Sequence, residues 1–165
     1  MLKKLMQVIL FTTSLFSYEI IVDETLKNIF NDNEKSTKLI RNEKLQIVYD
    51  PQTSLMWKDD IKATTIKTSW NNAKYYCQNL VFSTYNDWYL PSISDFEKII
   101  DYSNIKSNNA MQKEFKNVKS SYYWSSTEDI ANNMNAWIMY VNDGESSQSE
   151  KSNKLYVRCV RFVKE

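Results

Sequence analysis

The sequence contains no histidine among its 165 residues. Histidine is the usual general base near neutral pH and the commonest metal ligand in proteins. Its absence excludes every serine–histidine and cysteine–histidine nucleophile arrangement. Carboxylates and lysines could still act in catalysis, although adjacent acids in polar surroundings usually belong to a solvated loop. The acidic pairs are Asp59 with Asp60, Glu128 with Asp129, and Asp143 with Glu145.

Glycine and proline are nearly as scarce as histidine. Gly144 is the single glycine, and Pro51 and Pro91 are the two prolines. Asn, Asp and Ser must therefore make most of the turns. The sequence has no glycine-rich phosphate loop and no calcium-loop motif, and Asn142–Glu145 is better explained as a hairpin turn than as a cation site. We expect neither a metal nor another cofactor.

The first 17 residues have the pattern of a secretory signal peptide. Two lysines precede an uncharged apolar stretch, and Ser17 offers a small residue for cleavage. Acidic residues follow too soon for a membrane span of about 20 apolar residues. We predict a signal peptide at 1–17, an N-terminal lead-in at 18–36 and one domain at 37–165, exported to the periplasm, the outer surface or the medium, with no stable membrane span after cleavage. An uncleaved anchor is the alternative, because Leu15 fits the cleavage pattern poorly.

Cysteine is limited to Cys77 and Cys159. In an oxidising compartment, two lone thiols so far apart in sequence are best explained as one disulfide. Such a bond would tie the first long helix to the last strand and leave no thiol for catalysis. In the chain-entropy model, closing a loop of roughly 80 residues stabilises a fold by about 4.5 kcal/mol. Two buried free thiols are the alternative.

The overall charge offers no field that would attract a polyanion. The formal net charge is +1, and removal of the signal-peptide lysines brings it slightly below zero. We therefore predict no nucleic-acid partner, and any attraction to an acidic polymer must be local.

Hydrophobic periodicity predicts two helices among short strands. From Ser69 to Val81 the apolar residues recur at helical spacing, and Ser94-x-x-Glu97 has the pattern of a capping box at the start of a second helix. A short helix is predicted at 23–31, and strands at 38–41, 45–49, 55–57, 87–90, 122–126, 136–141 and 155–163. The expected class is α+β, with two main helices packed on short, mostly antiparallel strands.

Six motifs follow one another from about Asp50 to Arg161. They are Asp50-Pro51-Gln52-Thr53-Ser54-Leu55-Met56-Trp57, Trp70-x-x-Ala73-x-x-Tyr76-Cys77-x-x-Leu80, Asp87-Trp88-Tyr89-Leu90-Pro91-Ser92, Tyr123-Trp124-Ser125-Ser126-Thr127, Ala136-Trp137 with Gly144, and Tyr156-Val157-Arg158-Cys159-Val160-Arg161. In this order they resemble the Lcl C-terminal domain family, long catalogued as a domain of unknown function, which includes the C-terminal domain of a collagen-like adhesin. The resemblance implies a C-type-lectin-like fold with a helix-to-last-strand disulfide in surface or secreted proteins. For the adhesin branch it implies binding to sulfated glycans.

The chain departs from the family pattern at two positions. Ser54 stands where the family usually has glycine, which predicts a different turn geometry. Tyr89 stands where the family usually has arginine, so no binding role is carried over to that position.

Aromatic and basic residues are the candidates for ligand binding. The five tryptophans lie in regular helix or strand patterns and are predicted to be core residues. Tyr140 and Tyr156 lie on strands whose alternate residues are apolar, so we expect exposed rings there. Lys151, Lys154 and Arg158, with Arg161 and Lys164, cluster in the last segment and are the candidates for a local basic strip, with Arg158 predicted to point away from the face that holds Cys159. The interpretation that we prefer is a solvated edge where Glu145, Glu150 and Glu165 cancel this charge.

Three functions are compatible with these observations. The preferred one is a non-catalytic exported binding module that recognises a glycan, sulfated in the adhesin branch, or a cell-surface protein. The second is a structural or assembly protein of the envelope without a soluble ligand. The third is an oxidase related to the formylglycine-generating enzymes, which need a reactive cysteine pair. The sequence does not indicate an oligomeric state.

Overall fold

The computed structural model describes residues 38–103 and 109–163. The predicted signal peptide at 1–17, the lead-in at 18–36 and the short helix at 23–31 lie outside these residues. In the described part, no helix has the length and apolar character needed to cross a membrane.

The described residues form nine strands, two α-helices and one 3-10 helix. The strands are β1 (Ile40–Asn42), β2 (Ile47–Asp50), β3 (Leu55–Lys58), β4 (Lys67–Thr68), β5 (Tyr122–Glu128), β6 (Asn135–Tyr140), β7 (Glu145–Glu150), β8 (Leu155–Tyr156) and β9 (Val160–Phe162). The helices are the 3-10 helix Ile61–Thr64, α1 (Trp70–Gln78) and α2 (Ile93–Lys98).

The first sheet has the strand order β1-β2-β3-β9, and all of its pairs are antiparallel. Every residue of β2 and β3 is buried, as expected for central strands that are covered on both faces. In the turn before β3, Ser54 has a φ of +55°, which lies in the left-handed region that favours glycine. The turn therefore uses the conformation that a glycine would adopt most easily.

Helix α1 starts after Ser69, as predicted, and presents Trp70, Ala73 and Cys77 to the interior. The predicted apolar stripe runs too far, because Val81 lies beyond the helix and is exposed. The helix ends at Gln78, where the side-chain amide of Asn79 donates to the Tyr75 carbonyl at 2.8 Å. This bond satisfies a carbonyl of the last turn and ends the helix earlier than its apolar spacing indicates.

Helix α2 has a capping box two residues before the predicted one. The Ser92 hydroxyl accepts from the Asp95 amide, and the Asp95 carboxylate accepts from the Ser92 amide. This reciprocal pair satisfies both donors, whereas Ser94 stays exposed. Phe96, Ile99 and Ile100 are buried, as the pattern predicted.

The second sheet has the strand order β4-β8-β5-β6-β7. Its pairs are antiparallel except the parallel contact of β5 with β8. Strands β6 and β7 pair over six residues without a bulge. Gly144 makes their connecting turn with a φ of +79°, as the turn signal predicted.

The predicted final strand at 155–163 is wrong, because the chain changes sheets within it. Leu155 and Tyr156 pair with β4, while Val160 to Phe162 pair with β3. Between these strands the Cys159 carbonyl accepts from the Lys58 amide at 3.0 Å. The alternation of Leu155, Val157 and Cys159 does not continue through the crossing, because all five residues from Val157 to Arg161 are buried.

The disulfide joins Cys77 of α1 to Cys159, directly before β9, with 5.5 Å between their Cα atoms. It closes a separation of 82 residues. The predicted pairing is confirmed, and so is an α+β architecture of two helices on mostly antiparallel sheets. Four of the five tryptophans are buried as predicted, and Trp137 is partly exposed.

Candidate functional site

A groove of about 470 Å³ lies at the N-terminal end of α1. We call it the α1 groove. Three separate segments supply its lining: Ser69, Trp70 and Asn71 from the start of the helix, Asn133 and Met134 from the loop before β6, and Lys151 and Ser152 from the turn after β7. Of the predicted site residues, Lys151 lines the groove.

Backbone hydrogen bonds hold these three segments together. The Trp70 amide donates to the Lys151 carbonyl at 3.0 Å, and the Lys151 amide donates to the Met134 carbonyl at 2.9 Å. The turn at Lys151 therefore bridges the helix start and the β6 loop. The groove is assembled by main-chain contacts, so side chains on its rim can vary without loss of its frame.

Trp70 is the buried residue of the groove lining. Its ring is buried, and its indole N–H donates to the Ser125 carbonyl at 2.7 Å. The ammonium groups of Lys74 and Lys151 lie 4.3 and 4.4 Å from the ring centroid. These cation–π contacts position both lysines. Trp70 is a core residue, as predicted, and offers no open ring face to a ligand.

Lys151 has two acceptors within the protein. Its ammonium donates to Glu128 Oε2 at 2.6 Å and to the Asn133 carbonyl at 2.7 Å. The hydrogen bond and the positive charge of Lys151 lower the pKa of Glu128. An ammonium group has three donors, so these bonds leave one N–H on a group that also lies over the Trp70 ring.

The rest of the lining consists of amides and hydroxyls with one apolar side chain. Ser69 precedes α1 without a side-chain capping bond, and Asn71 is exposed beside it. Met134 is 67% exposed. This surface can donate and accept several hydrogen bonds and can also cover one apolar patch of a ligand.

Lys154 lies in the same turn as Lys151 and is exposed. It directly precedes Leu155, which pairs with Thr68, the residue before Ser69. Its backbone is therefore beside the start of α1. The structure brings these two predicted lysines to one end of the molecule.

Tyr140 lies at the opposite end of β6, about 17 Å along the strand from the groove. Its ring stacks on that of Tyr122, with centroids 4.4 Å apart and planes 23° apart. The pair is partly exposed, and Tyr122 is 40% exposed. Tyr140 does not belong to the groove.

Tyr156 lies on β8 and is half-buried. Its ring centroid is 5.6 Å from that of Tyr123, and the Lys67 ammonium lies 5.4 Å from its own centroid. The ring packs against the hydrophobic core, so the expectation of an exposed ring holds only in part.

The prediction that Arg158 forms part of an exposed basic strip is wrong. The side chain is 1% exposed and its Nη1 donates to Asp59 Oδ1 at 2.8 Å and to the Lys58 carbonyl at 3.0 Å. Its guanidinium lies 5.0 Å from the Phe115 centroid. The side chain does leave the Cys159 face, but residues 115–117 cover the other face as well. A ligand at the surface cannot reach it.

The acidic pair Asp59–Asp60 is also buried, contrary to the expectation of a solvated loop. Asp59 pairs with Arg41 and Arg158, and Asp60 pairs with Lys58. Desolvation lowers the pKa of Lys58, and the bond to Asp60 opposes this shift only in part. Across residues 38–103 and 109–163, no three His, Cys, Asp or Glu side chains are grouped so that they could hold a metal ion.

Sequence reasoning missed most of the groove. Ser69 was identifiable as a helix start, but nothing marked Asn71, Asn133 or Met134 as neighbours of Lys151. Asn71 and Lys151 are 80 residues apart in the chain. The β6–β7 register brings Met134 beside Lys151, and the hydrogen bond from Trp70 to Lys151 brings Asn71 to the same place. Asparagine is common throughout this sequence, so composition does not mark Asn71 or Asn133 as groove residues either.

The part of the chain that forms the groove was compared with known proteins. None of the curated proteins matches the chain. The family described as the Lcl C-terminal domain matches residues 46–161. That range covers more than half of the sequence and contains the groove, both cysteines and both helices. The chain therefore belongs to the Lcl C-terminal domain family.

Proposed function

We propose that this chain is a non-catalytic, exported binding module that recognises a glycan in the α1 groove. Family membership supports a binding role through the adhesin from which the domain takes its name. The observation that carries the glycan assignment is the lining of the groove, which combines side-chain amides, hydroxyls and one ammonium group with a larger apolar surface that includes Met134. Sugars present many hydroxyls around small apolar faces, and this surface complements both features.

The proposal also includes a C-type-lectin-like fold and export from the cell. A C-type-lectin-like fold follows from the sequence resemblance, and the disulfide between α1 and Cys159, directly before β9, supports it. Export to the periplasm, the cell surface or the medium is supported by the same disulfide, since such bonds persist in oxidising compartments. The leader pattern at the N-terminus points the same way.

A sulfated ligand is the favoured glycan class. Lys67, Lys74, Lys151 and Lys154 are the basic residues of the segments that line the groove or adjoin it, and Glu128, Asp129 and Glu150 are the acids of those segments. The net charge of these segments is therefore positive, although the net charge of the whole chain is near zero. Electrostatic attraction of this kind weakens with salt, because the Debye length falls to about 3 Å at 1 M.

The envelope-assembly function is the second candidate, and one observation favours it. Ile130 is completely exposed in the loop that leads to Met134. An apolar side chain at a loop tip suits a protein partner better than a sugar. The oxidase alternative is weaker, because Cys77 and Cys159 are both used in the disulfide.

A glycan array with two matched variants tests the proposal. Asn71→Ala removes an amide from the groove, whereas Asn72→Ala removes the same group from the adjacent exposed position of the helix. We expect Asn71→Ala to weaken binding by about three- to tenfold, the effect of one lost hydrogen bond, and Asn72→Ala to leave it unchanged. Heparin or fucoidan should compete at low salt and lose this effect at high salt.

A flat array with the wild-type protein would overturn the glycan assignment and favour a protein partner. Equal binding by the two variants would place the glycan at another surface. Circular dichroism of both variants verifies that each has folded.

A further inference from the structure

We propose that β7 is a docking edge for an extended segment of a protein partner that carries two basic residues five positions apart. This surface lies along the outer strand of the second sheet and is separate from the lining of the α1 groove. The partner would add a strand to the sheet beside β7.

Strand β7 is the outer strand of the five-stranded sheet. Its six residues pair continuously with β6, from Glu145 opposite Tyr140 to Glu150 opposite Asn135. Five of them are exposed and none is buried. A regular edge of this length presents a straight row of main-chain groups to solvent.

The register shows which groups point outward. The Lys151 amide bonds to the Met134 carbonyl directly opposite, so this is a hydrogen-bonded pair of the ladder. In an antiparallel ladder such pairs alternate, so Ser147 and Ser149 bond to β6 and Ser146, Gln148 and Glu150 direct their main-chain groups away from it. The Glu150 carbonyl accepts from the Asn153 amide. The N–H and C=O groups of Ser146 and Gln148 and the N–H of Glu150 remain for a partner strand among the described residues.

The other sheet edges of the described residues are short or covered. Strand β4 has two residues, one of them Lys67, and β1 has three with Arg41 at its centre. Strand β9 is bridged by Tyr89, whose amide and carbonyl both bond to Val160 at 2.8 and 3.0 Å. Lysine, arginine, short length and coverage are the usual protections of an edge. β7 is six residues long, its only charged residues are Glu145 and Glu150 at its ends, and it has neither proline nor a bulge.

The charge of β7 indicates the chemistry of the partner. Glu145 and Glu150 stand at its two ends, and no basic residue lies between them. Lys151 follows the strand, but its ammonium reaches toward Glu128 on β5, away from the edge. Basic residues opposite both glutamates would be five positions apart in an added strand. A second copy of β7 would bring four carboxylates together with no basic residue of either strand, so charge favours a basic partner.

Two synthetic peptides of equal composition test the spacing. One has the core Lys-Thr-Val-Thr-Val-Lys and the other Lys-Lys-Thr-Val-Thr-Val, each flanked by Gly-Ser. Titration into ¹⁵N-labelled protein should move the amide signals of Ser146, Gln148 and Glu150. We expect the first peptide to bind about threefold more tightly, the effect of one cross-strand charge pair. Equal affinities would overturn the charge assignment.

Gln148→Pro and its control Gln148→Ala test the main-chain contacts. Proline removes the outward N–H at this position and leaves the ladder to β6 intact, because Gln148 does not bond to β6. We expect Gln148→Pro to lose at least about tenfold in peptide affinity and Gln148→Ala to match the wild type. Unchanged affinity in Gln148→Pro would overturn the proposal, provided that the β6–β7 amides of Ser147 and Ser149 stay protected from hydrogen exchange. Dimerisation of the wild type that Gln148→Pro abolishes would assign the edge to a second copy instead.

Discussion

Asp59 and Arg158 form an ion pair that is removed from solvent. Asp59 also accepts from the Lys116 amide at 2.8 Å and contacts Arg41, while its own carbonyl accepts from the Asn117 side chain. A buried charge needs such partners, because desolvation costs several kcal/mol per ion. Residues 58–59, 116–117 and 158 come from three distant segments, so this network fixes how they meet.

Arg158→Met should therefore destabilise the domain strongly. The substitution keeps an unbranched stem but removes the guanidinium, and it leaves Asp59 with Arg41 as its one cationic partner among the described residues. We expect the free energy of unfolding to fall by about 3 kcal/mol. Urea denaturation measures this change.

Lys154→Met is the matched control for that experiment. It removes a cation of the same segment from an exposed position, and we expect a change within about 0.5 kcal/mol. Equal effects of the two substitutions would contradict a structural role for the Asp59–Arg158 pair.

The β6–β7 hairpin contributes to the α1 groove through Lys151, which follows it, and its outer strand β7 forms the proposed docking edge. Its turn depends on Gly144, the only glycine in the sequence. A Cβ atom there would lie 2.6 Å from Ile100 Cγ2 and 3.1 Å from Tyr102 Cε1. The hairpin thus packs its turn directly against the end of α2.

Gly144→Ala should loosen this element. The left-handed φ costs an alanine about 1 to 2 kcal/mol, and the contact with Ile100 adds an overpacking cost of similar size. We expect a total loss of about 2 to 4 kcal/mol in thermal or urea unfolding. Ser147→Ala, in the exposed middle of β7, is the control and should change stability by less than about 0.5 kcal/mol. A neutral Gly144→Ala would mean that the turn adopts another conformation.

At the scale of the whole molecule, the disulfide joins the first helix to the segment that crosses between the two sheets. Cys77 and Cys159 are both buried, at 0% and 1% exposure, so the bond lies inside the fold. The loop that it closes contains α2 and most of the second sheet. Constraint of so long a loop removes much of the conformational freedom of the unfolded chain.

The double substitution of Cys77→Ala with Cys159→Ala should lower the free energy of unfolding by about 4 kcal/mol, mainly because the unfolded chain gains freedom. Chemical denaturation with and without a reducing agent gives an independent value, since reduction of the wild type should approach the stability of the double variant. A loss below about 1 kcal/mol, or two titratable thiols in the native wild-type protein, would contradict this role.

Local patterns predicted much of the fold. The apolar spacing from Trp70 to Cys77 indicated α1, the Asn142–Glu145 signal indicated the hairpin, and the two cysteines indicated their own bond. The first two of these predictions depend on patterns of neighbouring residues, and the third depends on there being only two cysteines in the sequence. The pattern was wrong where a local signal was ambiguous, as for Ser94 in place of Ser92 at the start of α2.

Composition, periodicity and cysteine count by themselves determined the α+β class, the disulfide, and the absence of every histidine-based reaction. Only the tertiary structure decided that Arg158 lies inside, that the tail divides into β8 and β9, and that Lys151 meets Asn71 and Met134 in one groove. The physical reason is that burial depends on what covers a residue from the other face. That covering segment comes from distant parts of the chain, and a pattern of near neighbours cannot encode it.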